Sequence, residues 1–411
     1  MLASFLTKFH HGKINVLTFL FLFALAPLFI QSEPIRSSTS KKKILLLCSA
    51  GGYGHMAAAN TLKNLLSDQY DFKVIYPIDL MRIWGVKSGD QLYNSMLQGG
   101  WIRSVNMITR HLAPKIFRSR KKKIESLISR QIQQEQPDIV ISLIPFINCP
   151  ASEAARKLGI PYLIITTDND LRNWVHGLQG VCHPNFKVTV GSDLWCSREM
   201  LRKRNIPDSA IETIGLPVRP DFFDSKDRES LRQKYHIPAN KPVVMVMIGG
   251  QGGATALSYA ETIGASQLGV HLIVCAGKNK ALAKELQTIP LHATNSMTIM
   301  EFTEKVSDLM AISDLIITKA GPGSITEAMV MQLPILIDAT SPILSWEKAN
   351  IDLIMHYEIG DFIEDFDEVE TLVREFLFDS ELRQKMKASY KKIPLNSFNQ
   401  SIPSLVEEMI Q

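Results

Sequence analysis

The feature that most limits what this chain can become is the stretch Ser49-Ala50-Gly51-Gly52-Tyr53-Gly54-His55-Met56-Ala57-Ala58-Ala59. It follows an apolar run at residues 44–48 and opens a run with Leu62, Leu65 and Leu66 on one helical face, so the pattern predicts strand, glycine turn and helix in immediate succession. Such a turn gathers bare backbone N–H groups and the positive end of a helix at one point, where an anion or a polar ligand can sit. His55 adds a titratable group there. The third glycine of the dinucleotide fingerprint is missing, and a tight turn with a surface histidine accounts for the same residues, so the stretch alone does not specify a nucleotide.

The same unit recurs along the chain. Strand-like runs at 44–48, 72–76, 139–144, 162–166, 186–190 and 211–214 alternate with helical runs, which predicts an α/β domain with a mainly parallel sheet. The turn-rich stretch Ile214-Gly215-Leu216-Pro217-Val218-Arg219-Pro220 closes that series, a charged segment at 221–241 links, and a second alternating series starts at Pro242. A length of 411 residues exceeds what one core organises, and 45% hydrophobic with 21% charged residues is a globular composition, so two domains are expected, at 43–220 and 242–390. Cys48, Cys149, Cys182, Cys196 and Cys275 lack metal-ligand spacing and suit small buried residues in a reducing compartment.

Two segments point to a membrane. Residues 14–30 are mostly apolar and long enough to cross a bilayer as a helix. Lys8 and Lys13 precede them, Arg36, Lys41, Lys42 and Lys43 follow, and no small-residue cleavage site is evident. That balance favours a retained anchor over a cleaved signal, with 31–42 as a tether and the large C-terminal part on the cytoplasmic side. Residues 81–123 interrupt the α/β alternation: Trp84 and Trp101 lie among apolar residues, and Lys115, Arg118, Arg120, Lys121, Lys122 and Lys123 fall within nine positions. Tryptophan at headgroup level and cations on phosphate would suit an anionic membrane surface, while a core-packed helix pair with a solvated basic face fits the pattern equally. The net charge of +4 argues neither for nor against nucleic acid, and none is expected because Phe117 alone is interleaved with the basic cluster.

Three further stretches are candidate sites. Thr166-Thr167-Asp168-Asn169-Asp170 follows a strand directly, and ligands of parallel sheets collect at carboxyl ends of strands, so Asp168 and the first glycine turn can face one crevice; a turn-capping role for Asp168 is the plainer alternative. Gly249-Gly250-Gln251-Gly252-Gly253 follows a buried strand, and four glycines in five residues let phosphate oxygens approach backbone N–H groups. The densest motif is a strand ending at Lys319, the turn Ala320-Gly321-Pro322-Gly323-Ser324 and a short helix carrying Glu327. A carboxylate near a helix start can accept hydrogen bonds from two adjacent hydroxyls, as a ribose presents, while the helix end faces phosphate; taken singly, Glu327 complements the helix dipole.

In this order, over roughly residues 43–360, these stretches resemble the monogalactosyldiacylglycerol synthase and processive diacylglycerol glucosyltransferase family, relatives of the peptidoglycan glycosyltransferase that makes lipid II. The resemblance is carried by Gly51 to His55, Thr167-Asp168 with Trp174-Val175-His176, the stretch 215–220, the turn 249–253, Thr318 to Ser324 with Glu327-Ala328, Leu333-Pro334-Ile335, and the pair Glu347 and Asn350. It implies the GT-B architecture, two Rossmann-like domains across a cleft, with a C-terminal helix at 391–411 packing back on the first. It also implies inverting, metal-independent transfer of a hexose from UDP-glucose or UDP-galactose to the free hydroxyl of diacylglycerol, with no cofactor beyond the donor.

The chemistry then distributes roles. The acceptor hydroxyl must lose its proton as it attacks, so His55 is the expected general base, with Asp168 orienting the imidazole or serving as the base itself. Lys319 and the turns at 249–253 and 321–324 face the diphosphate, Glu327 the ribose, and Glu347 and Asn350 the sugar or nearby backbone. Gly52, Trp84, Trp101 and the basic cluster belong to the acceptor and membrane side. A polyprenyl-diphosphate-linked acceptor and a nucleotide-sugar-binding regulator without turnover are the alternatives. The chain departs from the family pattern where Arg172 stands near the position of a histidine, in the longer, glycine-free stretch 341–350, and in its N-terminal apolar segment.

Overall fold

The computed structural model describes residues 41–51, 54–80, 89–180, 183–194, 197–250, 252–394 and 397–411. The expected anchor at 14–30 and the site candidates Gly52, Trp84 and Gln251 lie outside them. Among the described residues no helix is long and apolar enough to cross a membrane.

Strands β1 (Lys42–Leu47), β2 (Tyr70–Ile75), β3 (Ile139–Ser142), β4 (Tyr162–Ile165), β5 (Phe186–Val190) and β6 (Ile211–Thr213) form one parallel sheet in the order β2-β1-β3-β4-β5-β6. Strands β7 (Val243–Met247), β8 (His271–Gly277), β9 (Ser296–Glu301), β10 (Leu315–Thr318), β11 (Ile335–Asp338) and β12 (Gly360–Ile363) form a second, in the order β12-β11-β10-β7-β8-β9. Helices cover both faces, so the central strands are apolar without alternation: Ile44 to Leu47 and Val243 to Met247 are all buried.

The strand orders place the ligand crevices. In the first sheet the winding reverses between β1 and β3, in the second between β7 and β10. Loops leaving neighbouring strands in opposite directions open a gap at the carboxyl edge. The first glycine turn follows β1; the turn at 249–253 follows β7; and the Lys319 turn follows β10. All three recognised turns therefore sit at a reversal point.

Two segments tie the lobes. The last helix, Ser397–Ile410, buries Phe398, Ile402, Leu405, Val406 and Met409 against Ile44, Leu62 and Leu66 of the first lobe. Residues 221–241 pack onto the second lobe, with Phe222 and Ile237 in its core and Arg228 Nη2 donating to Asp314 Oδ1 at 2.7 Å.

The insertion consists of helices Gly89–Gln98, Ile102–Met107 and Ala113–Ser119, with a π-helical turn at Ile108–Leu112, and leads into the helix Lys121–Glu135. That last helix buries Ile124, Ile128 and Ile132 at four-residue spacing and leaves Lys121 and Lys122 exposed.

Candidate active site

A cleft of about 1350 Å³ runs between the lobes, lined by the three glycine turns and by the segment after β4. Its first-lobe wall starts from the turn after β1. Ser49 Oγ donates to Asp90 Oδ1 at 2.9 Å, Ala50 N to Asp90 Oδ2 at 2.7 Å, and Asn94 Nδ2 to Ala50 O at 3.0 Å. Asp90, 4% exposed, is thus the internal brace of the turn. Burial pushes its carboxyl above the usual range, and the bonds from Ser49 and Ala50 hold it down against that push. A Cβ on Gly51 would lie 2.9 Å from Asp90 Oδ1, so close approach of the brace explains glycine there. Sequence reasoning missed Asp90 and Asn94; the one acidic residue within 81–123, an insertion rich in apolar and basic residues, was the available signal.

His55 occupies the first turn of the helix Gly54–Leu66 and is half-buried. Its Nδ1 lies 3.2 Å from Thr167 Oγ1, and its ring centroid 6.1 Å from that of Trp174. Loss of solvent pushes the imidazole down to about 4, opposed by a hydrogen bond to the Leu143 backbone. It is neutral near pH 7 and able to accept a proton.

Asp168 does something other than orient the imidazole. Its Oδ2 accepts from Trp174 Nε1 at 3.1 Å, and the preceding Thr167 is the residue that meets His55. The chain bends at 167–169 after β4, and in that bend Thr167 faces the imidazole while Asp168 faces the indole. Burial pushes Asp168 up to about 7, the Trp174 bond lowers it and the nearby Glu347 charge raises it. A carboxyl that titrates near neutrality in a cleft is a group suited to proton transfer.

The second-lobe wall is built from backbone. Gly252 has φ +78°, and a Cβ on it would lie 2.0 Å from Ala276 O, so the turn after β7 packs main chain against main chain. Gly249, Gly250, Gly252 and Gly253 line the cleft, as do Gly321, Pro322, Gly323 and Ser324 at the start of the helix Pro322–Val330. Lys319 Nζ donates to Glu347 Oε1 at 3.1 Å, and Glu347 is 5% exposed. Glu327 Oε1 accepts from Arg219 Nε at 2.8 Å; burial raises this carboxyl and the guanidinium counteracts it. Asn350 is buried behind the lining, donating from Nδ2 to Ala320 O at 2.7 Å and accepting at Oδ1 from Asn169 Nδ2 at 2.9 Å, a bond between the lobes.

Of the remaining described candidates only Arg120 lines the cleft. Arg118, Lys121 and Lys122 are exposed and Lys123 is half-buried. Trp101 is 44% exposed on the same insertion. Among the described residues no group of three or more His, Cys, Asp or Glu side chains is placed to hold a metal ion.

Two doubly wound lobes, facing each other across a cleft with titratable side chains on one wall and glycine turns on the other, give the chain the GT-B fold. The structure of MurG from Acinetobacter baumannii shares the fold over 90% of this chain and 100% of its own, with a TM-score of 0.58 at 15% identity. Residues 243–337 match the glycosyltransferase family 28 C-terminal domain.

In sequence the chain is similar to named diacylglycerol glycosyltransferases. The chloroplastic monogalactosyldiacylglycerol synthase of Spinacia oleracea is 28% identical over 362 residues, which cover 82% of this chain and 66% of the relative, just under two thirds of its length. The processive diacylglycerol beta-glucosyltransferase of Bacillus pumilus is 26% identical over 381 residues, covering 88% of this chain and 94% of the relative.

Proposed function

We propose that this chain transfers a hexose from UDP-glucose or UDP-galactose to the free hydroxyl of diacylglycerol at a membrane surface, with inversion and without a metal. The observation that carries the reading is the pairing, across one cleft, of His55 and Asp168 with Lys319 and the N-terminus of the helix Pro322–Val330.

The acceptor oxygen attacks the anomeric carbon as the bond from that carbon to the diphosphate breaks. The hydroxyl proton passes to neutral His55, held in orientation by Thr167, and the ionised Asp168 beyond Trp174 stabilises the imidazolium that forms. Negative charge arrives on the leaving diphosphate, where backbone N–H groups of the turns at 249–253 and 321–324, the helix end and Lys319 receive it. Glu327, steadied by Arg219, takes the ribose hydroxyls, and Glu347 borders the sugar.

The lipid approaches from the insertion. Leu80, Trp101 and Met107 are exposed at 50%, 44% and 57%, and the basic start of the helix Lys121–Glu135 follows them in the same lobe. On this reading that face rests on anionic lipid, and residues 14–30 serve as an anchor that leaves both lobes on the cytoplasmic side.

Incubation with radiolabelled UDP-glucose or UDP-galactose and diacylglycerol vesicles tests the proposal. Labelled glycolipid is the expected product. Label found only on an added polyprenyl-diphosphate acceptor, or donor binding without any transfer, would overturn it.

A further inference from the structure

The stretch 341–347, where the chain departs from the family pattern, lies between β11 and the helix Lys348–Tyr357 and ends at Glu347, the partner of Lys319. It belongs to the second lobe, yet three groups of the first lobe hold it. Asn106, on the helix Ile102–Met107, donates from Nδ2 to Ile343 O at 2.9 Å and accepts at Oδ1 from Ser345 N at 2.8 Å. Arg172 Nη2 donates to Ser345 O at 3.3 Å. The Tyr93 ring lies against Trp346 with centroids 6.4 Å apart and planes 31° from parallel.

A primary amide presents a donor and an acceptor side by side, so one asparagine can satisfy two backbone groups of a strandless loop at once. The loop so held carries Trp346 and Glu347, both of which line the cleft beside Lys319. The helix that supplies Asn106 has exposed apolar neighbours on its outer side, Trp101 at its start and Met107 at its end. One short helix therefore touches the acceptor-side surface with one flank and the donor loop with the other.

We propose that Asn106 is a positioning residue for the donor: it fixes the 341–347 loop from the acceptor lobe, so that the sugar subsite is complete only when the insertion is seated on that loop. The inference rests on the reading of the donor as a UDP-sugar. Losing both bonds lets the loop, and with it Trp346 and the Glu347–Lys319 pair, leave the geometry that meets the sugar. A saturating donor restores that geometry, so the loss falls on donor affinity and leaves the chemical step intact.

The test compares the wild type with Asn106→Ala and Asn106→Asp, by calorimetric titration of UDP-glucose and UDP-galactose and by kinetics over diacylglycerol vesicles. Asn106→Ala is expected to weaken donor binding and raise donor KM roughly tenfold, with kcat and acceptor KM held within about twofold. Asn106→Asp keeps the acceptor for Ser345 N and sets a charge against Ile343 O, so it is expected to weaken donor binding at least as far. Thermal midpoints close to the wild type identify the loss as local. Unchanged donor affinity in both variants, or a loss confined to kcat or acceptor KM, overturns the proposal. Failure of the wild type to make glycolipid would instead strike the proposed reaction, and the calorimetric comparison would still decide the role of Asn106.

Discussion

Replacing Asp168 by Asn separates the two titratable groups of the first-lobe wall and tests the electrostatics of the cleft in one variant. Burial, reinforced by Glu347 and opposed by Trp174, pushes the native carboxyl up to about 7, whereas an unperturbed aspartate titrates near 4. Between those values the folded protein keeps a proton that the unfolded chain has released. The stabilising contribution is therefore full below about pH 4 and is lost as pH rises through about 7. A shift of about three units bounds the cost at about 4 kcal/mol, and water in an open cleft reduces it to about 1–2 kcal/mol at pH 8.

Asparagine keeps an oxygen for Trp174 Nε1 and cannot ionise, so the variant should resist denaturant better than the wild type at pH 8, with the gap closing as pH falls toward 4. Turnover should move the other way. Wild-type kcat/KM is expected to rise with a midpoint near pH 7, while Asp168→Asn is flat there, because His55, held down to about 4, is already neutral. A residual activity of roughly 1–10% assigns the proton to His55, and a loss of about a thousandfold or more transfers that role to Asp168. Denaturant midpoints read by fluorescence and initial rates over diacylglycerol vesicles supply both axes. An equal stability difference at pH 5 and pH 8, or a wild-type profile without an inflection near 7, would refute the reasoning.

Thr167→Val removes the oxygen 3.2 Å from His55 Nδ1 at nearly constant shape, and turnover should fall roughly tenfold with UDP affinity unchanged by calorimetry. Glu327→Gln is expected to weaken UDP binding roughly tenfold; undiminished affinity would leave the Arg219–Glu327 pair as a structural tie only. Replacing Lys121, Lys122 and Lys123 together by Gln should reduce co-sedimentation with anionic vesicles, by a margin that shrinks with added salt. Unaltered partitioning would make that face a solvated helix surface.

Much of the fold is readable along the chain because its units are local. The run Ile44 to Leu47 is buried on both faces and must be a central strand, and the glycines after β1 and β7 stand within a few residues of the strands and helices they join. β12 escaped the pattern: Gly360-Asp361-Phe362-Ile363 is a half-exposed edge strand, without the apolar run that marks an inner one. The same locality made His55, Asp168, Lys319 and Glu327 visible as candidates, since each stands on its own strand–turn–helix unit.

Their partners were not visible. Asp90 braces a turn 40 residues away, Thr167 meets His55 across 112, Arg219 meets Glu327 across 108, and Asn169 meets Asn350 across 181. An asparagine or threonine can bond to almost any polar group, so its type alone carries no address. Periodicity and turn chemistry act over a handful of neighbours and specify which groups exist; which of them meet follows from the strand order within each sheet and from the meeting of the two lobes at the cleft, contacts made between points far apart along the chain.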